Sequence, residues 1–234
     1  MNRKRKILII GAGGILILAL LGWLFLFIIS SPYRNQIPPL PEMKSLSIPL
    51  QEQLSQANRK ARRNPNADNL GILGLVYHSS ANYEKAKVCY QLAIKKNRSK
   101  WHYSYFLGYL NKEMGESAGA VENFKTVLRE NPRAYHAWYY TGEGYQNMGL
   151  NDKAEMAFKK ISNLREKNVP ANATIRVDYF PLRTYANYQL ARIYMKTNRI
   201  DLAEKTLNGI LKDNVTFGQA YRLLGNIYAT RGDI

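Results

Sequence analysis

Small residues return at a fixed interval of 34 along this chain: Gly74, Gly108 and Gly142, and then, after one interruption, Ala191 and Gly225. Each anchor carries a recurring escort. Leu73 and Gly74 are followed by Tyr77, Ala86, Tyr90 and Ala93; Leu107 and Gly108 by Ala120, Phe124 and Val127; Gly142 by Tyr145, Ala154, Phe158 and Ile161. A period of this length leaves room for two short helices per unit, and small residues are needed where their backbones cross. Tyr90 and Ala93 return to one face of the second helix a turn apart. Neither helix of a pair buries its apolar stripe alone, so each pair must stack on a neighbour.

This set of residues and its spacing resemble the tetratricopeptide repeat (TPR) from about residue 66 to the end of the chain. The resemblance implies an all-α fold, a right-handed α-solenoid of antiparallel helix pairs. Repeats 1–3 are expected at 67–100, 101–134 and 135–168, within a segment spanning 66–168, with Pro132 marking a repeat boundary and Pro65 one residue out of register. The step from Gly142 to Ala191 is 49 residues, which places an insertion at 169–183. There Ile175, Val177 and Tyr179 alternate between Pro170 and Pro181, as a surface loop or as an arm over the groove. Segment 184–234 then holds repeat 4, with Leu190, Ala191, Tyr194, Ala203 and Leu207, and the first helix of repeat 5 around Tyr221, Leu224, Gly225 and Tyr228. The second helix of repeat 5 is missing, so the expectation is a piece of a longer protein.

The amino-terminal part reads differently. Residues 1–6 form a basic tail with Arg3, Lys4, Arg5 and Lys6, and the 23 residues 7–29 carry no charge. Such a run extends about 35 Å as a helix, enough to span a membrane core of roughly 30 Å. An uncleaved transmembrane helix is the expectation. A cleaved signal peptide is the alternative, although its apolar region is normally about 7–15 residues long. The excess of basic residues before the span predicts a cytoplasmic amino terminus and an exported repeat domain, in a bacterium an inner-membrane protein facing the periplasm. A eukaryotic chain of this kind would face a lumen or the outside, with a mitochondrial outer-membrane anchor and a cytosolic repeat domain as the less favoured alternative. Gly11, Gly13 and Gly14 start like a dinucleotide-binding loop, but the third glycine position is Leu16 and no nucleotide site follows. Residues 30–48, with Pro32, Pro38, Pro39 and Pro41, read as a proline-rich linker, an extended spacer of about 50 Å. Residues 49–65 read as a capping helix with Leu50, Leu54, Ala57 and Ala61 on one face.

Family geometry implies that the first helix of each repeat lines a concave groove. Repeat 2 would contribute His102, Tyr105, Tyr109 and Lys112, and repeat 3 His136, Tyr139, Glu143 and Gln146. Repeat 4 would add Tyr185, Tyr188 and Arg192, and repeat 5 Gln219, Arg222 and Asn226. Tyrosine offers broad rigid contact with a polar tip, and arginine grips carboxylates with two prongs. Such a wall suits an extended peptide or a partner helix, although several of the 17 tyrosines have an alternative role in packing between repeats. The lysine and asparagine pattern of relatives that hold a chaperone tail is absent.

The formal charge is +17, of which residues 1–65 supply +8. Arg59, Lys60, Arg62 and Arg63 form a candidate patch for anionic lipid or an acidic partner, or else a solvated helix end. Catalytic chemistry has little to stand on: three histidines, the single Cys89, and no nucleophile beside an acid pair. His102 and His136, at equivalent repeat positions, lack a third ligand, so neither a metal nor a cofactor is expected. The sequons at Asn97, Asn172 and Asn214 decide nothing. The expected function is that of a non-enzymatic, membrane-anchored scaffold that binds partner proteins in an envelope complex, with motility, secretion, pilus, polysaccharide-export and cytochrome-maturation settings all open. The alternative is a basic nucleic-acid or anionic-polymer binder, disfavoured by export.

Overall fold

Each second helix of the first three repeats carries an aromatic ring sixteen residues beyond the repeat's glycine, and these rings set the geometry of the helix pairs. In the computed structural model, which describes residues 17–25, 33–163 and 180–232, the chain forms two compact units, 1–98 and 99–234. Residues 17–25 are helical (α1). The remaining helices of the first unit are α2 (Ile48–Arg63), α3 (Ala67–Ser79) and α4 (Tyr83–Lys96). The second unit holds α5 (Trp101–Glu113), α6 (Ser117–Glu130), α7 (Tyr135–Asn147), α8 (Asn151–Ser162), α9 (Leu182–Lys196), α10 (Ile200–Asp213) and α11 (Gly218–Arg231). The pairs α3/α4, α5/α6, α7/α8 and α9/α10 are the repeats, and within the second unit α7 also packs on α6, α9 on α8 and α11 on α10.

A Cβ at Gly74 would lie 2.7 Å from the Tyr90 ring, one at Gly108 3.0 Å from Phe124, and one at Gly142 2.6 Å from Phe158. Each ring is fully buried and occupies the space that a side chain on the first helix would need. In the fourth repeat the pair is Ala191 and Leu207, both fully buried in one core cluster. The smaller partner leaves room for the methyl group. Gly144 plays the same part between repeats: its Cβ would lie 2.5 Å from Val121 Cγ2 on α6.

The turn inside each pair needs one residue in the left-handed region. Gly115 and Gly149 serve it at φ of +77° and +75°, while Ala81 and Asn198 adopt φ of 56° and 59° at the matching places. A left-handed alanine costs on the order of 1 kcal/mol. Repeats 3 and 4 remain in register across the long connection. Glu155 on α8 bonds Arg199 at the head of α10 as well as Lys159 on its own helix. Burial opposes ionisation of Glu155, yet these two cations hold it below the usual carboxylate range.

Leu54, Ala57 and Ala61 are buried on α2, which packs on α3. The proline-rich segment is not wholly an extended spacer. Ile37 and Pro38 are buried, the Arg62 guanidinium donates to the carbonyls of Ile37 and Pro38 at 3.2 Å each, and the Tyr77 hydroxyl donates to Pro39 at 3.3 Å. Lys96 sits 3.7 Å from the centre of the Tyr33 ring. Pro38 and Pro39 offer no N–H of their own, and Arg62 and Tyr77 bond the carbonyls of this segment, so these residues lie against the first repeat instead of reaching away from it.

Much of the apolar run 7–29 and of the insertion 169–183 lies outside the described residues, as does the basic tail 1–6. Within 17–25 the large apolar side chains are exposed, Leu18 at 70% and Trp23 at 63%. Among the described residues no helix is long and apolar enough to cross a membrane.

Two glycine substitutions separate the packing role from helix propensity. Gly142→Ala is expected to destabilise the chain by about 1–3 kcal/mol through the clash with Phe158. Gly225→Ala meets nothing within 4 Å in mid-helix and is expected to stabilise by roughly 0.5–1 kcal/mol. Urea unfolding followed by far-ultraviolet circular dichroism reads both; equal effects at the two sites would refute the ring-contact explanation.

Candidate functional site

Residues one helical turn apart share a face. On α5 that face carries Tyr105, Tyr109 and Lys112, and on α7 His136, Tyr139, Tyr140 and Glu143. On α9 it carries Tyr185, Gln189 and Arg192. These three first helices meet along one surface of the second unit, and Tyr140 is its hub. Its ring centre lies 5.5 Å from Tyr109, 6.3 Å from Tyr105, 5.4 Å from Phe124 and 5.8 Å from Tyr139. The Tyr139 ring meets Phe158 edge-on at 5.5 Å. Aromatic pairs at such separations favour tilted and edge contacts.

A polar chain runs through these rings. Lys112 Nζ stands 3.8 Å from Glu143 Oε2, an ion pair too long for a hydrogen bond, and lies over the rings of Tyr109 and Tyr140 at 5.4 and 5.0 Å. Gln189 Nε2 donates to the Tyr139 hydroxyl at 3.3 Å, and Arg192 Nη1 donates to Gln189 Oε1 at 2.9 Å. Glu143 Oε2 and His136 Nε2 are buried without a hydrogen bond among the described residues.

Burial raises the Glu143 carboxyl above its ordinary value, and Lys112, Tyr139 and Arg192 pull the other way. Burial, reinforced by Tyr109, pushes Tyr105 up to about 12. Tyr139 and Tyr140 are raised further, first by burial and then by Glu143 at Tyr139 and by the Tyr105 and Tyr109 hydroxyls at Tyr140. At neutral pH these tyrosines are neutral hydrogen-bonding groups.

The expected groove residues divide. Tyr109, Lys112, Glu143 and Arg192 line this surface, with His102, His136 and Gln146 partly exposed on the same two helices. Tyr105 and Tyr139 are largely taken up by packing on Phe124 and Phe158. Tyr188 is not a wall residue: it is 8% exposed, its ring 5.7 Å from Phe217. Phe217, itself buried, draws in Phe180 and Tyr185 as well, at 5.0 and 5.7 Å. Gln219, Arg222 and Asn226 are exposed on α11, and among the described residues no bond or ring contact joins them to the α5–α7–α9 set. Tyr140 and Gln189 were missed by sequence reasoning. Both occupy the sixth position of their repeats, a register facing the preceding repeat that the groove positions leave out.

In the basic patch Arg59, Lys60 and Arg63 are at least partly exposed, whereas Arg62 is held by Asn58 and the Ile37 and Pro38 carbonyls. Cys89 is buried, and burial pushes its thiol up to about 12, away from the thiolate form. Among the described residues no group of three or more His, Cys, Asp or Glu side chains could hold a metal ion.

Helix pairs, small-residue crossings and an inward face on the first helices define a repeat scaffold. The chain belongs to the tetratricopeptide-repeat family, whose profiles match residues 67–99, 111–158 and 188–234, together more than half of it. It is 30% identical over 141 residues to the Protein CTR9 homolog of Arabidopsis thaliana, a match covering 57% of this chain and 13% of that protein. The chain thus spans a small part of that relative's length. Among solved structures, MamA superposes with a TM-score of 0.59 at 20% identity, covering 70% of this chain and 82% of that one. YrrB, described as a TPR protein with an unusual peptide-binding site, superposes with a TM-score of 0.62 at 16% identity, covering 74% and 82%. These superpositions establish the fold.

The half-buried His136 gives the site a pH signature. Burial lowers the His136 value from its ordinary 6.5, so below that pH the unfolded chain binds more protons and stability falls. The raised Glu143 acts oppositely, favouring the folded state as it protonates. The His136→Gln variant is therefore expected to lose less melting temperature than the parent between pH 7 and pH 5. Identical slopes would show that His136 is not held neutral.

Proposed function

We propose that this chain is a scaffold that holds a partner protein against the α5–α7–α9 surface and works by binding, without turnover. The observation carrying this reading is the side-chain chain Lys112–Glu143–Tyr139–Gln189–Arg192, which crosses three repeats and is flanked by neutral tyrosines. Rigid hydroxyl-tipped rings give contact area at low entropy cost, and the alternating charges fix register for an extended peptide or a helix. Peptide binding by YrrB, a structural neighbour, supports the choice of ligand class.

The apolar run 7–29 behind a basic tail supports an amino-terminal anchor with the repeats exported, placing the scaffold in an envelope complex of the inner membrane. Residues 33–40 lie against the first repeat, which shortens the reach of the segment that follows the apolar run. The exposed side chains of Arg59, Lys60 and Arg63 suit contact with anionic headgroups.

Photo-crosslinking in native membranes tests the surface. A benzophenone residue in place of Tyr109 or Arg192 is expected to capture the same partner, and one in place of Asn208 on α10 is not. Capture at Asn208 alone would overturn the assignment. For the anchor, alkaline phosphatase fused after residue 234 is expected to be active in a bacterial host. A cytoplasmic fusion would reverse the topology and restore the nucleic-acid reading.

A further inference from the structure

A second site lies on the opposite side of α7. Trp138, Thr141 and Tyr145 recur at helical spacing about half a turn around α7 from His136 and Tyr140, and they floor a cleft of about 430 Å³ between α6 and α8. The volume is in the range of pockets that take a small molecule or the anchor side chains of a partner. One wall carries Lys125 and Arg129, the other Lys153 and Lys160, and Glu122 is the sole acid on the lining.

Among the described residues, three of these four cations have no carboxylate partner. Lys125 is paired with Glu122 at 3.0 Å, but Arg129 donates only to the neutral Thr126 hydroxyl at 2.9 Å. Lys153 and Lys160 lie over the rings of Tyr145 and Trp138, each at 5.8 Å. The stems of the lysines thus frame apolar ground while their charges remain available. Met156 on the same wall is 68% exposed, a flexible apolar side chain that readily repacks against a ligand.

We infer that this cleft docks an acidic amphipathic helix of a partner protein, its bulky apolar side chains seated on Trp138, Tyr145 and Met156 and its carboxylates on Arg129, Lys153 and Lys160. Charge complementarity selects the occupant: an excess of cations around an aromatic floor rejects a basic or purely apolar helix. Each wall runs about two helical turns, roughly 10 Å, which suits two anchors one turn apart. The site is separate from the α5–α7–α9 surface, so a scaffold built this way holds two partners at once.

Fluorescence anisotropy with the full chain tests this. The probe is a fluorescein-labelled 16-residue helical peptide with Leu and Trp one turn apart and Glu on the flanks, alongside the same peptide with Lys for Glu. The acidic peptide is expected to bind and the basic one is not. Lys153→Glu with Lys160→Glu should weaken binding at least about tenfold, and Met156→Asn about threefold, while Tyr109→Ala on the other surface changes nothing. All three cleft residues are exposed, so these variants are expected to fold. The inference is overturned if the acidic peptide fails to bind or binds the charge-reversed variant equally. It is also overturned if phosphatidylglycerol vesicles or oligothymidylate, but not the peptide, depend on Lys153 and Lys160.

Discussion

The contact on which the rest of this fold depends is the one between a glycine on the first helix of a repeat and an aromatic ring on the second. Rings at Tyr90, Phe124 and Phe158 press onto backbone at Gly74, Gly108 and Gly142 so closely that no Cβ fits without a shift. Two helices held by such a contact have little freedom to slide or roll. The crossing therefore determines which residues of the first helix point inward to the partner helix and which point to neighbouring repeats or to the open face. In repeat 4 the contact is re-solved with Ala191 and Leu207, a change in both partners that keeps the pair filled.

Because the crossing fixes the rotation of α5, α7 and α9, their remaining faces are committed to different tasks. On α7, one side supplies Tyr139 and Glu143 to the polar chain, and the opposite side supplies Trp138, Thr141 and Tyr145 to the basic cleft. Glu143 illustrates the energetics. Its carboxyl lies in surroundings that disfavour charge, and Lys112 at 3.8 Å offsets only part of that cost.

The repeat architecture was legible in the 34-residue interval, because the steric demand of the crossing leaves a mark at a single position. The face of the first helices was partly legible: Tyr109, Lys112, Glu143 and Arg192 sit where repeat register puts them. Contacts between repeats were not. Tyr140 and Gln189 act through their neighbours' side chains, and Tyr188 is buried because Phe217, from the connection before α11, fills the space beside it. The folding of residues 33–40 onto Arg62 and Tyr77 was hidden for the same reason, since a proline-rich composition describes backbone preference and not a docking surface. The left-handed turn position was visible at Gly115 and Gly149 but masked at Ala81 and Asn198.

The most direct measurement of the central constraint is a double-mutant cycle at the third repeat, Gly142→Ala with Phe158→Leu, in which the two positions are converted to the pair found natively at Ala191 and Leu207. Each single change is expected to destabilise the chain, one by overlap and one by a cavity, and the combination to recover at least about 1 kcal/mol relative to their sum in urea unfolding. Simple additivity of the two changes would contradict the account, because it would mean that the glycine and the ring do not constrain one another.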